Sequence, residues 1–245
     1  MHRAGSLRAC FACALLLAAV ACASPGDEEE GAALTVEPDD TIPPPPYSEQ
    51  TQPSSTPPSA GVPGERVQSD RPASRRGVLM LEGTADTTDF RLVETPDGFP
   101  LEFSTYMPAD MVAEIDSSNA GYSVEFIANF GGTLNPRAYL QAFFYPRSTT
   151  LALARTTVDN FVTGLNPEVD RSRAEAPESW ASEQTSFSYP HEQQTYTGRI
   201  ALAQRGDVVF HMLAHYPAEY ADGMGPRIAA ILQEWRWADG TPLMR

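Results

Sequence analysis

"GRIALAQRGDVVFHMLAHYPAEYADGMGPRIAAILQEWRW", Gly198 to Trp237, is the stretch whose reading decides the fold. Val208, Phe210, Met212, Ala214 and Tyr216 alternate with their neighbours in the period of two that marks a strand, and Thr195 to Gln204 supplies another strand before it. Gln204-Arg205-Gly206-Asp207 joins the two as a tight hairpin in which Gly206 permits positive φ. The period then changes. Ile228, Ile231, Leu232 and Trp235 fall at i, i+3, i+4 and i+7, the apolar face of a helix. Pro226 suits the first turn of that helix, where a missing N–H costs little, and Glu219 to Gly225 reads as a separate short turn.

The same two periods organise the chain upstream. Phe99 to Met107 reads as a strand closed by Pro108. Tyr122, Val124, Phe126, Ala128 and Phe130 alternate with more polar residues, which predicts a strand buried mainly on one face, and Gly131-Gly132 then turns the chain. Arg137 to Tyr145 is a further strand, stopped by Pro146. Leu151, Ala154, Val158, Phe161 and Leu165 recur at helical spacing, with Ser148 or Thr149 as the cap and Asn166-Pro167 as the end. Residues 166–179 read as a polar loop, and Trp180 to Tyr189 as a strand. Antiparallel strands with helices at two points predict an α+β sandwich over residues 78–245, long enough to bury about 70% of its unfolded surface.

The Gly198–Trp237 block combines two paired strands, a Tyr216-Pro217 exit, an acidic approach and an amphipathic helix ending in aromatics. With "FSTYMPADM" (Phe103 to Met111) it resembles the PsbP-like fold and, in layout, bacterial lipoproteins of the DcrB and LpqN type. The likeness covers roughly residues 88 to 237. It implies an antiparallel β-sheet flanked by helices, an α/β/α sandwich, used as a binding or assembly accessory. That family shares no catalytic motif, so the resemblance carries over no site residue.

The head of the chain gives an address. Arg3 and Arg8 precede an apolar run from Ala9 to Ala21, whose 13 residues are too short to span a bilayer. Two cleavage sites compete. Ala19-Val20-Ala21 before Cys22 resembles a lipobox, although Ala19 departs from the usual Leu, Val or Ile, and cleavage there leaves Cys22 as a diacylated first residue. Cleavage after Ala21-Cys22-Ala23 instead discards the cysteine and releases a secreted chain from Ser24. Cys10 and Cys13 lie in the apolar run itself, and no cysteine follows Cys22, so Cys22 has no disulfide partner in the mature chain. Lipidation at Cys22 is the favoured expectation, since multiple acyl chains hold stably where one is marginal.

Residues 22–77 hold 11 prolines, including Pro43 to Pro46, and a single aromatic, Tyr47. That composition predicts a disordered tether stiffened towards polyproline II, because it buries too little apolar surface to offset chain entropy. PPPPY (Pro43 to Tyr47) is similar to ligands of aromatic grooves, but an exported spacer is the expected reading. Asp27 to Glu30 behind Cys22 read as solvation, or as a surface-export signal of lipoprotein type. Residue 23 is Ala rather than Asp, so the inner-membrane retention signal is absent and the outer membrane is the expected address.

From residue 78 onward 11 Arg face 22 Asp plus Glu, and lysine is absent from the whole chain. A field of that sign repels nucleic acid, so none is expected as partner. No G-x-S-x-G, H-E-x-x-H or P-loop is present, and the chain is read as non-catalytic with no cofactor. His211 and His215 share one face of a strand about 13 Å apart, too far for joint ligation of one zinc. Packed, hydrogen-bonded histidines are therefore expected. A ligand or metal pocket near His191, His211 and His215 is the alternative, with His191 and Glu192 arriving from elsewhere. Arg205-Gly206-Asp207 spells an adhesion tripeptide that turn chemistry already explains, and Trp237 is placed to cover a groove edge. The expected function is that of an envelope accessory, held to the membrane through Cys22 and contacting an envelope protein.

Overall fold

The computed structural model describes residues 70–244. Signal, Cys22 and nearly all of the tether lie outside them. The strands are β1 (Ser74–Leu81), β2 (Thr84–Glu94), β3 (Phe103–Pro108), β4 (Met111–Ser118), β5 (Gly121–Phe130), β6 (Thr133–Phe144), β7 (Asp170–Arg173), β8 (Glu183–His191), β9 (Gln194–Arg205), β10 (Val208–Pro217) and β11 (Arg236–Trp237). Helix α1 (Leu151–Leu165) follows β6, and a 3-10 turn at Ala218–Tyr220 leads into α2 (Ala221–Gln233). The strands form two antiparallel sheets, one ordered β1-β2-β3-β11 and the other β4-β5-β6-β10-β9-β8-β7.

β10 lies at the centre of the larger sheet and shows the strand period in its packing. Val208, Phe210, Met212 and Ala214 join a core with Met224, Ile228 and Ile231 of α2. Val209 packs with Ala154 of α1, and Leu213 with Val158 and Val162. The two helices therefore cover opposite faces of this sheet. The smaller sheet adds its own layer beside α2, where Leu79, Phe90 and Tyr106 pack with Ala230. The sequence reading foresaw one sheet; β3 turning into β4 carries the chain from one sheet to the other.

Local chemistry sets the ends. Thr150, rather than Ser148 or Thr149, caps α1, its hydroxyl accepting from the Leu153 N–H at 3.2 Å. Gly206 takes φ of 59° at the β9–β10 hairpin. In β6, Pro136 falls in a bulge that shifts the register between Ile127 and Ala128, which is where a strand tolerates proline. β7 stands within the stretch read as loop, as a short, fully exposed edge. Pro226 lies inside α2, which begins at Ala221; nearby, Arg227 Nη1 donates to the Gly223 carbonyl at 2.7 Å.

The fold also begins earlier than residue 78. β1 opens at Ser74, inside the segment read as tether, and the residues before it are fixed too. Arg71 Nη2 lies 3.0 Å from Glu234, Arg75 Nη2 2.7 Å from the same carboxylate, and the Tyr106 hydroxyl donates to the Pro72 carbonyl at 2.8 Å. Both guanidinium groups lie over the Tyr106 ring, at 4.4 and 4.7 Å.

Candidate functional site

Two places on the molecule combine chemistry with space. The first is the face of the larger sheet under α1. His211 and His215 project from β10 and are buried. His211 Nδ1 and the Tyr145 hydroxyl share a hydrogen bond of 3.0 Å, and the imidazole stacks on Phe143. His215 Nε2 meets the Tyr189 hydroxyl at 2.8 Å, within a ring of Tyr139, Phe187, Tyr189 and Tyr196 whose centroids lie 5.3 to 6.3 Å from it. Gly198 leaves the room for this packing: a Cβ there would fall 2.3 Å from the Phe187 ring and 2.7 Å from the Ala214 carbonyl.

Burial sets the protonation. It pushes His211 down to about 3 and His215 to about 4, the Arg137 backbone opposing in part at His215. Both are neutral at physiological pH. Burial likewise raises Glu125, which accepts from Gln141 Nε2, and pushes Tyr189 up to about 12. A cavity of about 20 Å³ lies between α1 and the sheet beside His211, Gln141 and Tyr139, room for one water molecule.

The three histidines expected to share a pocket do not converge. His191 touches the Tyr196 ring edge-on at 5.8 Å, on the His215 side of the sheet, while His211 belongs to the separate Phe143–Tyr145 cluster. Glu192 stays 3.9 Å from His191. Among the described residues no group of three or more His, Cys, Asp or Glu is placed to hold a metal ion.

The second place is a groove of about 800 Å³. Its walls come from the β2–β3 loop, β3, β4 and the segment after α2. Phe103, Pro96, Ile115 and Trp237 give it apolar surface, and charged Arg71, Arg236, Glu94, Asp97 and Glu102 also line it. Trp237, expected at a groove edge, does line this one, but it is only 5% exposed and Arg205 covers it at 5.1 Å. Phe103 stacks on Trp235 with centroids 3.6 Å apart, which fixes the groove floor to the end of α2. The described residues lining the groove include neither histidine nor cysteine. Its volume is that of a small-molecule or peptide-segment site. Most of its residues carry no sequence signal, because they reach it from four separated parts of the chain.

The Arg205-Gly206-Asp207 tripeptide is engaged internally. Arg205 Nη2 donates to Asp239 at 2.6 Å and to Thr241 at 2.8 Å, and Asp207 pairs with Arg147. No helix among the described residues is long and apolar enough to cross a membrane.

No protein-family model matches the chain, and no curated protein matches it. Among solved structures it is similar to the crystal structure of LpqN involved in cell envelope biogenesis of Mycobacterium tuberculosis, with 13% identity, a TM-score of 0.39, and coverage of 60% of this chain and 91% of that chain.

Proposed function

We propose that this chain is a lipid-anchored, extracytoplasmic accessory protein that acts through protein contacts at the cell envelope and performs no chemistry of its own. The observation that carries the reading is Cys22: the last cysteine, placed at the end of an apolar run of 13 residues and followed by an acidic, proline-rich stretch. A tether of the kind that the composition of residues 22–77 predicts is most useful with one end fixed, and the cysteine supplies the fixed end. Helices on both faces of the larger sheet support reading the folded region as a PsbP-like α/β/α sandwich, with the smaller sheet added beside α2. Its acidic surface favours a protein partner over nucleic acid or anionic lipid.

Cys22→Ala tests the anchor. The wild-type chain is expected in the membrane fraction with a mass raised by its acyl chains, and the variant outside that fraction with unmodified mass. A wild-type N-terminus at Ser24 would overturn lipidation and leave a secreted protein. Crosslinking in the intact envelope tests the accessory role, which fails if the chain is recovered alone with linkers of several lengths.

The groove favours a second reading, ligand binding, at Phe103, Ile115 and Trp237 rather than near the histidines. Ile115→Trp would narrow it at one wall, and a bound small molecule seen by native mass spectrometry in wild type and weakened in that variant is the expected signature.

A further inference from the structure

The four edge strands among the described residues are not guarded alike. An open edge offers unpaired N–H and C=O groups to any other strand, and charge or proline is the common protection. β7 is Asp-Arg-Ser-Arg, β4 carries Glu114 and Asp116, and Arg236 of β11 bridges to Pro242. β1 differs. From Gly77 to Leu81 it reads Gly-Val-Leu-Met-Leu with neither charge nor proline, and Val78 and Met80 are 61% and 56% exposed.

The direction of its free groups follows from the hairpin. Leu81 opposite Thr84 closes the two-residue turn Glu82–Gly83, so the odd residues of β1 exchange hydrogen bonds with β2. The even residues Arg76, Val78 and Met80 therefore turn their N–H and C=O to the open edge. These same residues point away from the layer in which Leu79 packs with Ala230.

We propose that β1 is a self-pairing edge: two copies join their β1 strands antiparallel, giving a continuous eight-stranded sheet with Leu79 opposite Leu79 on the two-fold axis. In this register Val78 of each copy lies opposite Met80 of the other, and Arg76 of each lies opposite Glu82 of the other. The pattern is self-complementary, apolar at the centre and oppositely charged at both ends, as an isologous contact requires. A shift of two residues either way sets Arg76 or Glu82 against an apolar side chain. Glu82 holds φ of 50° in a turn position that favours Asn, Asp or Gly, and the ion pair across the interface accounts for an acid there. Arg75 is held by Glu234 of its own copy, whereas Arg76 meets only Asp89, 3.3 Å away in a pair exposed on both sides, so Arg76 is free to exchange that contact for Glu82 of the other copy. The pairing is independent of lipidation, since every group in it lies in the folded region.

The test uses the full chain after Ala21 with Cys22→Ser, so that every thiol is an introduced one. Sedimentation equilibrium is expected to show a concentration-dependent dimer. Val78→Pro removes an outward N–H and leaves the β1–β2 ladder intact, and should raise the dissociation constant at least tenfold; Met80→Lys does the same where proline disturbs the strand. Glu82→Arg should weaken the dimer about tenfold through its two symmetric ion pairs, and Arg76→Glu with Glu82→Arg, made together with Asp89→Asn so that the new acid meets no like charge across the hairpin, should restore it. Mixing Val78→Cys and Met80→Cys chains should give the mixed disulfide faster than either chain gives its own. A monomer up to millimolar concentration overturns the proposal, and so does a dimer indifferent to both Val78→Pro and Met80→Lys, or one that the double charge reversal fails to restore.

Discussion

Asp110 and Arg227 meet across the β3–β4 turn, with Arg227 Nε 3.1 Å from both carboxylate oxygens. Arg227 is buried in α2, also donates to the Gly223 carbonyl, and lies over the Phe130 ring at 4.3 Å. Asp110 sits where the chain passes from one sheet to the other, so this pair holds α2 to that passage. Asp110→Ala leaves a buried guanidinium without its carboxylate. The expected loss is about 2 kcal/mol in urea denaturation, below the figure for a fully buried pair because Asp110 keeps some solvent. A loss under ~0.5 kcal/mol would show that Gly223 and Phe130 suffice for Arg227.

Tyr189→Phe removes the hydroxyl that His215 Nε2 meets in the aromatic ring. The variant leaves Nε2 buried with no partner and the imidazole with only its interaction with the Arg137 backbone. A loss of about 1–3 kcal/mol is expected. In a Tyr189→Phe, His215→Phe pair, where neither polar group remains, much of it should return. A double variant weaker than both singles would mean that packing, not the hydrogen bond, governs the site.

The two buried histidines make the fold acid-sensitive. Their folded pKa values, about 3 for His211 and about 4 for His215, lie below the ordinary 6.5, so the unfolded chain takes up their protons first. Their contribution is complete above pH ~6.5 and declines as pH falls towards 4 and then 3, by up to ~1.4 kcal/mol per pH unit for each group. Glu125 works the other way: burial raises it above 4.5, so the stability it contributes is present at low pH and lost as pH rises through its folded value. Urea midpoints should therefore fall between about pH 6.5 and pH 4.5. His211→Gln, able to keep Tyr145 engaged, should flatten the fall; an unchanged slope would place the sensitivity elsewhere.

Gly198→Ala puts a methyl group into the Phe187 ring and the Ala214 carbonyl. The carbonyl is backbone in a paired strand and cannot yield cheaply. A loss of about 1–3 kcal/mol is expected, and Phe187→Leu should recover only the part due to the ring. Full recovery would show that the carbonyl moves aside.

The residues that announced themselves were those packed on one side. The alternation of β5 and the α1 stripe read correctly because each sets a more buried face against a more open one, and the β9–β10 hairpin, buried on both faces at β10, read correctly from its turn at Gly206. β1, β2 and β7 did not. Thr84 to Asp89 is polar on both faces and β7 is wholly exposed, so neither carries a period to read. At α2, Glu219 to Gly225 read as a separate turn and Pro226 as the helix's first turn, yet the helix already starts at Ala221, and the burial of Met224 and Arg227 within it outweighs the poor propensity of Gly223, Gly225 and Pro226. Of the candidate sites, the hydrogen-bonded state of His211 and His215 followed from their four-residue spacing on a strand. The groove did not, because it joins loop residues near Pro96 to the chain beyond α2.

The clasp of Arg71, Arg75 and Tyr106 on Glu234 and Pro72 has a mechanical meaning. Any force transmitted along the segment before residue 70 reaches the Arg71 and Pro72 contacts ahead of the first hydrogen bond to β2, which the Leu92 N–H gives to the Ala73 carbonyl. Part of the load passes into the end of α2, so β1 is not simply peeled from its hairpin one rung at a time. The fold carries a strain relief where its leash attaches.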